Sequence, residues 1–310
     1  MKNKISSPAA LLALGTAIIS GVSVFVSKIG VTVVKDPVLY TTLKNSFVAI
    51  LLIGLILVFK KWSEIKTLSK SQWLKLLIIG FIGGSIPFAL FFIGLTQTSA
   101  ISGALIHKTL FLWVFLLATP ILKEKMTRLQ WLGVGSIFAA NFLIGGFAGF
   151  KYNLGELMIL GATILWAIEN IIAKKVLQDI SSLTVASARM VFGPLFLIPI
   201  VFFRGGIGSV FALNSTQWSW AFIASILLFG YVLTWYTALK HAPATYVSTL
   251  LVPATLVTNV LSAIFITHAF GVKDLVSALL NLLGIGLVVF FAKGISKSAS
   301  MSHTSTPSSA

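Results

Sequence analysis

Apolar runs of about twenty residues, set apart by short clusters of charge, glycine and proline, fill almost the whole chain. A helix needs about 20 mainly apolar residues to cross the hydrocarbon core of a bilayer. The pattern predicts ten such helices, at roughly 8–28, 38–59, 73–96, 99–122, 129–149, 154–174, 182–203, 217–239, 243–267 and 274–292. Two connections are only about three residues long, Gln97-Thr98-Ser99 and Lys240-His241-Ala242, so spans 3–4 and 8–9 are expected to be tight antiparallel pairs. The expected fold is an all-α polytopic membrane protein with ten transmembrane helices.

The order of lengths and turns repeats at an offset of about 145 residues. Gly15 falls on Gly161, Lys28 on Lys174 and Lys44 on Arg189. The two tight turns coincide, with Ala100 on Ala244. Each half, 8–149 and 154–292, holds five spans. Five is odd, so the second half must enter the membrane upside down relative to the first. Two inverted five-helix repeats are a recurrent architecture of secondary transporters, whose substrate sites lie near the bilayer midplane at the repeat interface. The remainder, 294–310, is mostly Ser, Thr, Lys and Ala and is predicted to be a disordered cytoplasmic tail.

Composition sharpens the reading. The 310-residue chain is 57% hydrophobic and 10% charged, with a mean hydropathy of +1.00, where a soluble domain carries about a quarter charged residues. The absence of cysteine excludes disulfides, thiolate metal sites and cysteine nucleophiles. A net charge of +16 would suggest nucleic acid in a soluble chain. Here most cations lie between apolar runs and serve orientation. Lys2, Lys4, Lys60, Lys61, Lys66, Lys70, Lys75, Lys123, Lys125, Arg128, Lys174, Lys175, Lys240, Lys293 and Lys297 fall on one side. Lys28, Lys35, Lys151, Arg204 and Lys273 fall on the other. The positive-inside rule then places both termini in the cytoplasm of a cell-membrane protein. Lys2 and Lys4 before an apolar stretch imitate a secretory signal. That stretch runs on to about Val26 and nine further spans follow, so it reads as an uncleaved first helix.

The stretch GALIHKTLFLWVFLLATPILKEKMTRLQWLGVGSIFAANFLI resembles the end of an EamA domain of the drug/metabolite transporter superfamily. Glu124, Lys125, Thr127, Gly133 and Gly135 stand at the family's acidic helix end, basic turn, threonine and glycine-containing next helix. LGELMILGATILWAIENIIAKKVL resembles the family's sixth helix, with Trp166 in its aromatic place. The likeness covers residues 8 to 292 as two repeats. His268 stands where Glu124 stands in the first half, a departure that removes an acidic partner. The resemblance implies an alternating-access carrier or exporter of metabolites, amino acids or drug-like molecules. It also implies that helices 1–4 and 6–9 surround the pathway while 5 and 10 pack outside.

Ionisable residues deep in a span are costly and face a protein interior or a water-filled path. Lys28, Lys174 and Lys175 lie close enough to helix ends to snorkel. Lys44 sits about six residues, roughly 9 Å, inside span 2. His107 and Lys108 lie deeper in span 4 and point about 100° apart. Lys108 is the favoured pathway residue and His107 is read first as packing, with proton sensing as its second reading. Both join Lys44, Glu169 and Arg189 as candidate substrate-binding residues. Glu169 and Arg189 lie at nearly one depth on consecutive helices and are expected to form a salt bridge. Lys44 has no such mate, because Ser23 stands at the repeat position of Glu169. These groups make the interior net cationic, which disfavours a lipophilic-cation pump and favours a substrate bearing a carboxylate. Trp113, Trp166, Trp235 and Tyr236 are candidates for an aromatic wall. Pro253, in the middle of span 9, is a candidate hinge.

The expected function is therefore export of small carboxylate-bearing metabolites, amino-acid-like, by a secondary transporter. An uptake or exchange carrier and a drug efflux protein are the competing carriers. An intramembrane lipid-modifying enzyme or a scramblase is the competitor from another class. Neither HExxH, GxSxG nor a Walker motif is present, and the four histidines are scattered, so no cofactor, metal or enzymatic activity is expected. The expected partners are a small-molecule substrate and the lipid bilayer, with no nucleic acid.

Overall fold

The computed structural model describes residues 7–125, 127–145, 153–269 and 271–291. The predicted tail at 294–310 lies outside them, as do Lys2, Lys4, Lys151, Lys293 and Lys297. The described residues are all-helical, without strands. The long helices are α1 (Ser7–Val34), α2 (Pro37–Val58), α3 (Lys70–Gln97), α4 (Ala100–Leu122), α5 (Arg128–Gly145), α6 (Leu154–Val176), α7 (Ser182–Phe203), α8 (Ser215–His241), α9 (Ala244–Thr267) and α10 (Val272–Phe291). Among the described residues nine of these, all but α5, are long and apolar enough to cross a membrane.

Local sequence sets the helix starts. Asp36 accepts the amides of Val38 and Leu39 and Pro37 opens α2, satisfying donors that the first turn leaves free. Ser69 with Gln72 closes a capping box on α3, and Asn214 with Gln217 closes another on α8. These two boxes are 145 positions apart. So are the short connecting helices Trp62–Lys66 and Ile207–Phe211. The left-handed residues Lys60 and Gly205 share that spacing, as do Lys123 and His268. The halves therefore repeat in backbone conformation where their letters differ. The pairing of Lys123 with His268 corrects one expectation: both end the helix in a left-handed residue, so the counterpart of Glu124 is Ala269.

Between Ala100/Ala244 and Pro253 the spacing drops to 144: the helical breaks in α4 at Thr109 and in α9 at Leu251–Pro253 coincide at that offset. The changes at the two ends of this stretch have a visible cause. A π-helical turn, Gly80–Ser85, accommodates the extra residue of α3, and a second, Ala263–Thr267, that of α9.

Packing respects the same exchange. α1 lies against α8 as α3 lies against α6, and α1 meets α9 as α4 meets α6. The pairs α2·α7, α4·α9 and α5·α10 join equivalent helices. α5 and α10 meet where Gly133 and Gly284 bring their backbones together. The other face of α10 is exposed and apolar, with Val272, Leu275, Leu279, Leu282 and Phe290 turned outward.

Candidate functional site

The interior between α1–α4 and α6–α8 holds a cavity with about 590 Å³ of empty space, its mouth included. Every charge predicted deep in the membrane is buried around it. Lys44 from α2, His107 from α4, Glu169 from α6 and Arg189 from α7 line the space directly, with Trp166 and Trp235 in its wall. Lys44 is 2% exposed, Glu169 1% and Arg189 4%.

The expected ion pair takes a different form. Glu169 Oε1 accepts a hydrogen bond from the Tyr236 hydroxyl, and Arg189 Nη1 donates to the same hydroxyl oxygen at 3.3 Å. The carboxylate and the guanidinium thus meet through Tyr236. Matched depth fixed how far along its helix each group sits; the side chain that fills the gap came from α8, which a two-helix argument omits. Arg189 Nη2 donates to the Gly83 carbonyl at 3.0 Å, and Trp166 Nε1 donates to the same oxygen at 2.9 Å. Gly83 lies in the π-turn of α3, where the widened turn leaves a carbonyl free for side chains. Among the described residues Glu169 Oε2 and Arg189 Nε have no hydrogen-bond partner, so one acceptor and one donor beside the cavity are unused.

In α4 the two neighbouring candidates are placed differently. His107 lines the cavity, where it packs against Trp166 and Phe91 with ring centroids 4.9 and 5.4 Å apart. Lys108 was expected there, but its Nζ donates to Ser20 Oγ at 2.7 Å and approaches His107 Nδ1 at 3.4 Å, one layer behind the wall. The 100° between neighbouring helix positions means that only one of the two can face in, and it is the imidazole. Trp113 is also outside the wall; its Nε1 donates to Thr109 Oγ1 at 3.2 Å. Tyr236 acts behind the wall, on Glu169 and Arg189. Trp235 is held by a 2.9 Å bond from Nε1 to Asn170 Oδ1.

Lys44 is the least satisfied charge. Its Nζ lies 4.0 Å from the Phe92 ring centroid, 5.0 Å from that of Phe88 and 5.9 Å from that of Tyr40. Among the described residues it makes no hydrogen bond. Cation–π contact is worth about 2 kcal/mol when desolvated, well short of the several kcal/mol that burying an ion costs. The aromatic cradle of Phe88, Phe91 and Phe92, Ser20 and Ser27 on either side of Ser23, and Tyr231 also line the cavity, beyond the residues that the sequence points to. Their signal was present as helical spacing of three and four: three serines on one face of α1, three phenylalanines on one face of α3.

Lysines also tie the helix ends. Lys28 Nζ donates to the carbonyls of Leu95 and Thr98, both at 2.7 Å. Lys174 Nζ donates to those of Leu239 and Ala242 at 2.6 and 2.7 Å. Donors and acceptors are repeat equivalents, and cations satisfy the free carbonyls of a helix C-terminus. Snorkelling is therefore not needed for either. Glu124 spans the halves, accepting the amides of Ala244 and Thr245 at 2.8 and 2.9 Å and the Thr245 hydroxyl at 2.8 Å. Glu64 does the same for α7 through the amide and hydroxyl of Ser181 and the hydroxyl of Thr184.

A helical membrane protein with a buried, charged, aromatic-walled cavity between two like halves has the form of a small-solute carrier. The chain belongs to the EamA-like transporter family, which matches residues 7–146 and 153–290. It is 29% identical over 243 residues to the uncharacterized transporter YyaM of Bacillus subtilis (strain 168), covering 74% of this chain and 77% of that one. It is 27% identical over 248 residues to YvbV, another uncharacterized transporter of that organism, covering 76% and 78%. A crystal structure superposes with a TM-score of 0.73 over 93% of this chain and 98% of the other; at 14% identity it speaks for the fold alone. The protein is a membrane transporter of this family.

Proposed function

We propose that the protein is a secondary transporter that exports small carboxylate-bearing, amino-acid-like metabolites by alternating access. In this reading all ten long helices cross the cell membrane, α5 included, as two inverted repeats with both termini cytoplasmic. The observation that carries it is the charge balance of the cavity. Lys44 and Arg189 face it with Glu169 as the one carboxylate in its wall among the described residues, and Tyr236 already joins Glu169 to Arg189. An occupant that brings its own negative charge removes the cost of leaving Lys44 unpaired, and Phe88, Phe91 and Trp235 offer its apolar part a wall. Glu169 Oε2 can accept from an ammonium on the same molecule.

Purified protein in detergent should gain thermal stability from one or more amino acids or short carboxylates, because a ligand that binds only the folded state stabilises it by mass action. The same compound should exchange across proteoliposomes and leave cells faster when the protein is overproduced. A panel in which only lipophilic cations stabilise the protein would replace this reading with a drug efflux protein.

A further inference from the structure

The two halves carry the same cation in two different chemical situations. By the backbone register described above, Lys44 corresponds to Arg189 at an offset of 145. Phe92 corresponds to Tyr236 at 144, because both lie between a capping box and a tight turn on the far side of the α3 π-turn. Ser23 corresponds to Glu169 at 146, the offset set by Lys28 and Lys174. In both halves the cation lies over the corresponding aromatic ring, 4.0 Å from the Phe92 centroid for Lys44 Nζ and 5.8 Å from the Tyr236 centroid for Arg189 Cζ. The pairing of cation and ring is kept, at different distances, and the polar groups are not. Tyr236 carries a hydroxyl that links Arg189 to the Glu169 carboxylate. Phe92 has no hydroxyl, and Ser23 has no carboxylate.

We propose that Lys44, over Phe92, is the seat of the substrate's anionic group, and that Glu169 with Tyr236 is the protein's own image of that ligand in the other half. One repeat supplies its anion from within. The other takes it from the cargo. This rests on the reading of the protein as a carrier of carboxylates, and it adds which cation takes the carboxylate and which does not. The Ser23 hydroxyl, at the place of Glu169 and in the cavity wall, leaves room for that group. Lys44 also shares the Phe88 ring with Arg189, 5.0 and 5.4 Å from its centroid. An anion on Lys44 therefore screens two cations from each other as it binds.

The test exploits the internal comparison. Thermal stabilisation is measured against the proteinogenic L-amino acids, short aliphatic and aromatic monocarboxylates, and the amides of each, in wild type and three variants. Carboxylates, and not their amides, should stabilise wild type. Lys44→Met should fold and lose the effect at least tenfold in apparent affinity, while Lys44→Arg retains a measurable part of it because the charge persists. The double variant Ser23→Glu, Phe92→Tyr transplants the second half's arrangement onto Lys44. It should be at least as stable as wild type without ligand and should no longer respond to carboxylates, its own Glu occupying the seat. Carboxylate binding unchanged in Lys44→Met, or retained in the double variant, overturns the proposal while leaving the carboxylate reading standing. No carboxylate response in wild type overturns both. Should Lys44→Met fail to fold, the double variant still decides.

Discussion

At the residue scale the informative groups are those whose partners differ from the simplest expectation. Glu169 and Arg189 share Tyr236, so their energies should be coupled even without direct contact. Removing one member of a buried charged set costs about 3 kcal/mol, because the other is left uncompensated. Glu169→Gln and Arg189→Met should each lose stability of that order, and together they should lose clearly less than the sum. Unfolding in detergent reads this out, and a coupling below about 0.5 kcal/mol would mean that the two act independently. Glu64 offers a pH test outside the spans. Desolvation works against its ionised form, but the Ser181 hydroxyl and amide and the Thr184 hydroxyl outweigh it and hold the carboxyl below its ordinary value. A depressed value in the folded state stabilises the fold above the ordinary carboxylate range, near about 4.3, and that contribution is lost as pH falls through the folded value. Glu64→Gln should therefore lower the melting temperature by a few degrees at pH 7, and the gap from wild type should close below about pH 4. A gap that persists in acid would assign the effect to packing.

At the scale of elements, close approach between helices sets what the chain tolerates. A methyl group on Gly193 of α7 would land on the Gly84 carbonyl of α3, and one on Gly84 would land on the Arg189 carbonyl. At Gly15 of α1 nothing lies within 4 Å. Gly193→Ala should thus cost about 1–3 kcal/mol by forcing backbones apart, while Gly15→Ala should be neutral or stabilise by up to about 1 kcal/mol through helix propensity. Parallel melting curves of the two variants check this, and equal behaviour would mean that α3 and α7 are not in contact where described. Glu124 raises a related point. It anchors the first turn of α9 from the other half, so any rocking of the halves must exchange these bonds. Glu124→Ala should lower stability by about 1 kcal/mol, in the range of a lost helix cap.

For the whole molecule, orientation is the claim on which most depends. The chain has no cysteine, so a single introduced thiol reports one site. Lys66→Cys should react with a membrane-impermeant maleimide only after lysis, and Arg204→Cys should react in intact cells; the opposite result would invert the assignment of both faces. Much of this architecture was legible in the sequence. Apolar runs of fixed length, Gly and Pro punctuation and the two tight turns gave the long helices to within a few residues, apart from extensions at the ends of α1, α3 and α8. The place of Lys44, Glu169 and Arg189 along their helices was legible too, because rise per residue is constant along a helix. Azimuth was not. Whether His107 or Lys108 faces inward depends on how α4 is rotated against its neighbours, and which group joins Glu169 to Arg189 depends on a third helix. Neither leaves a trace in local periodicity. The phenylalanine and serine stripes passed unmarked for another reason: in a chain this apolar, helically spaced Phe and Ser are ordinary.

Each π-turn also has a meaning in the reading frame. The extra residue of α3 and that of α9 are single in-frame triplets placed inside helices, where a gap is least expected. A comparison of the halves that forbids gaps within helices sets Phe92 on Thr237 and Lys108 on Pro253. With the two triplets admitted, the partners become Tyr236 and Val252, and the break at Thr109 falls on Pro253. One misplaced triplet turns every later position about 100° around its helix. It would thereby erase the correspondence between the ring beneath Lys44 and the ring beneath Arg189.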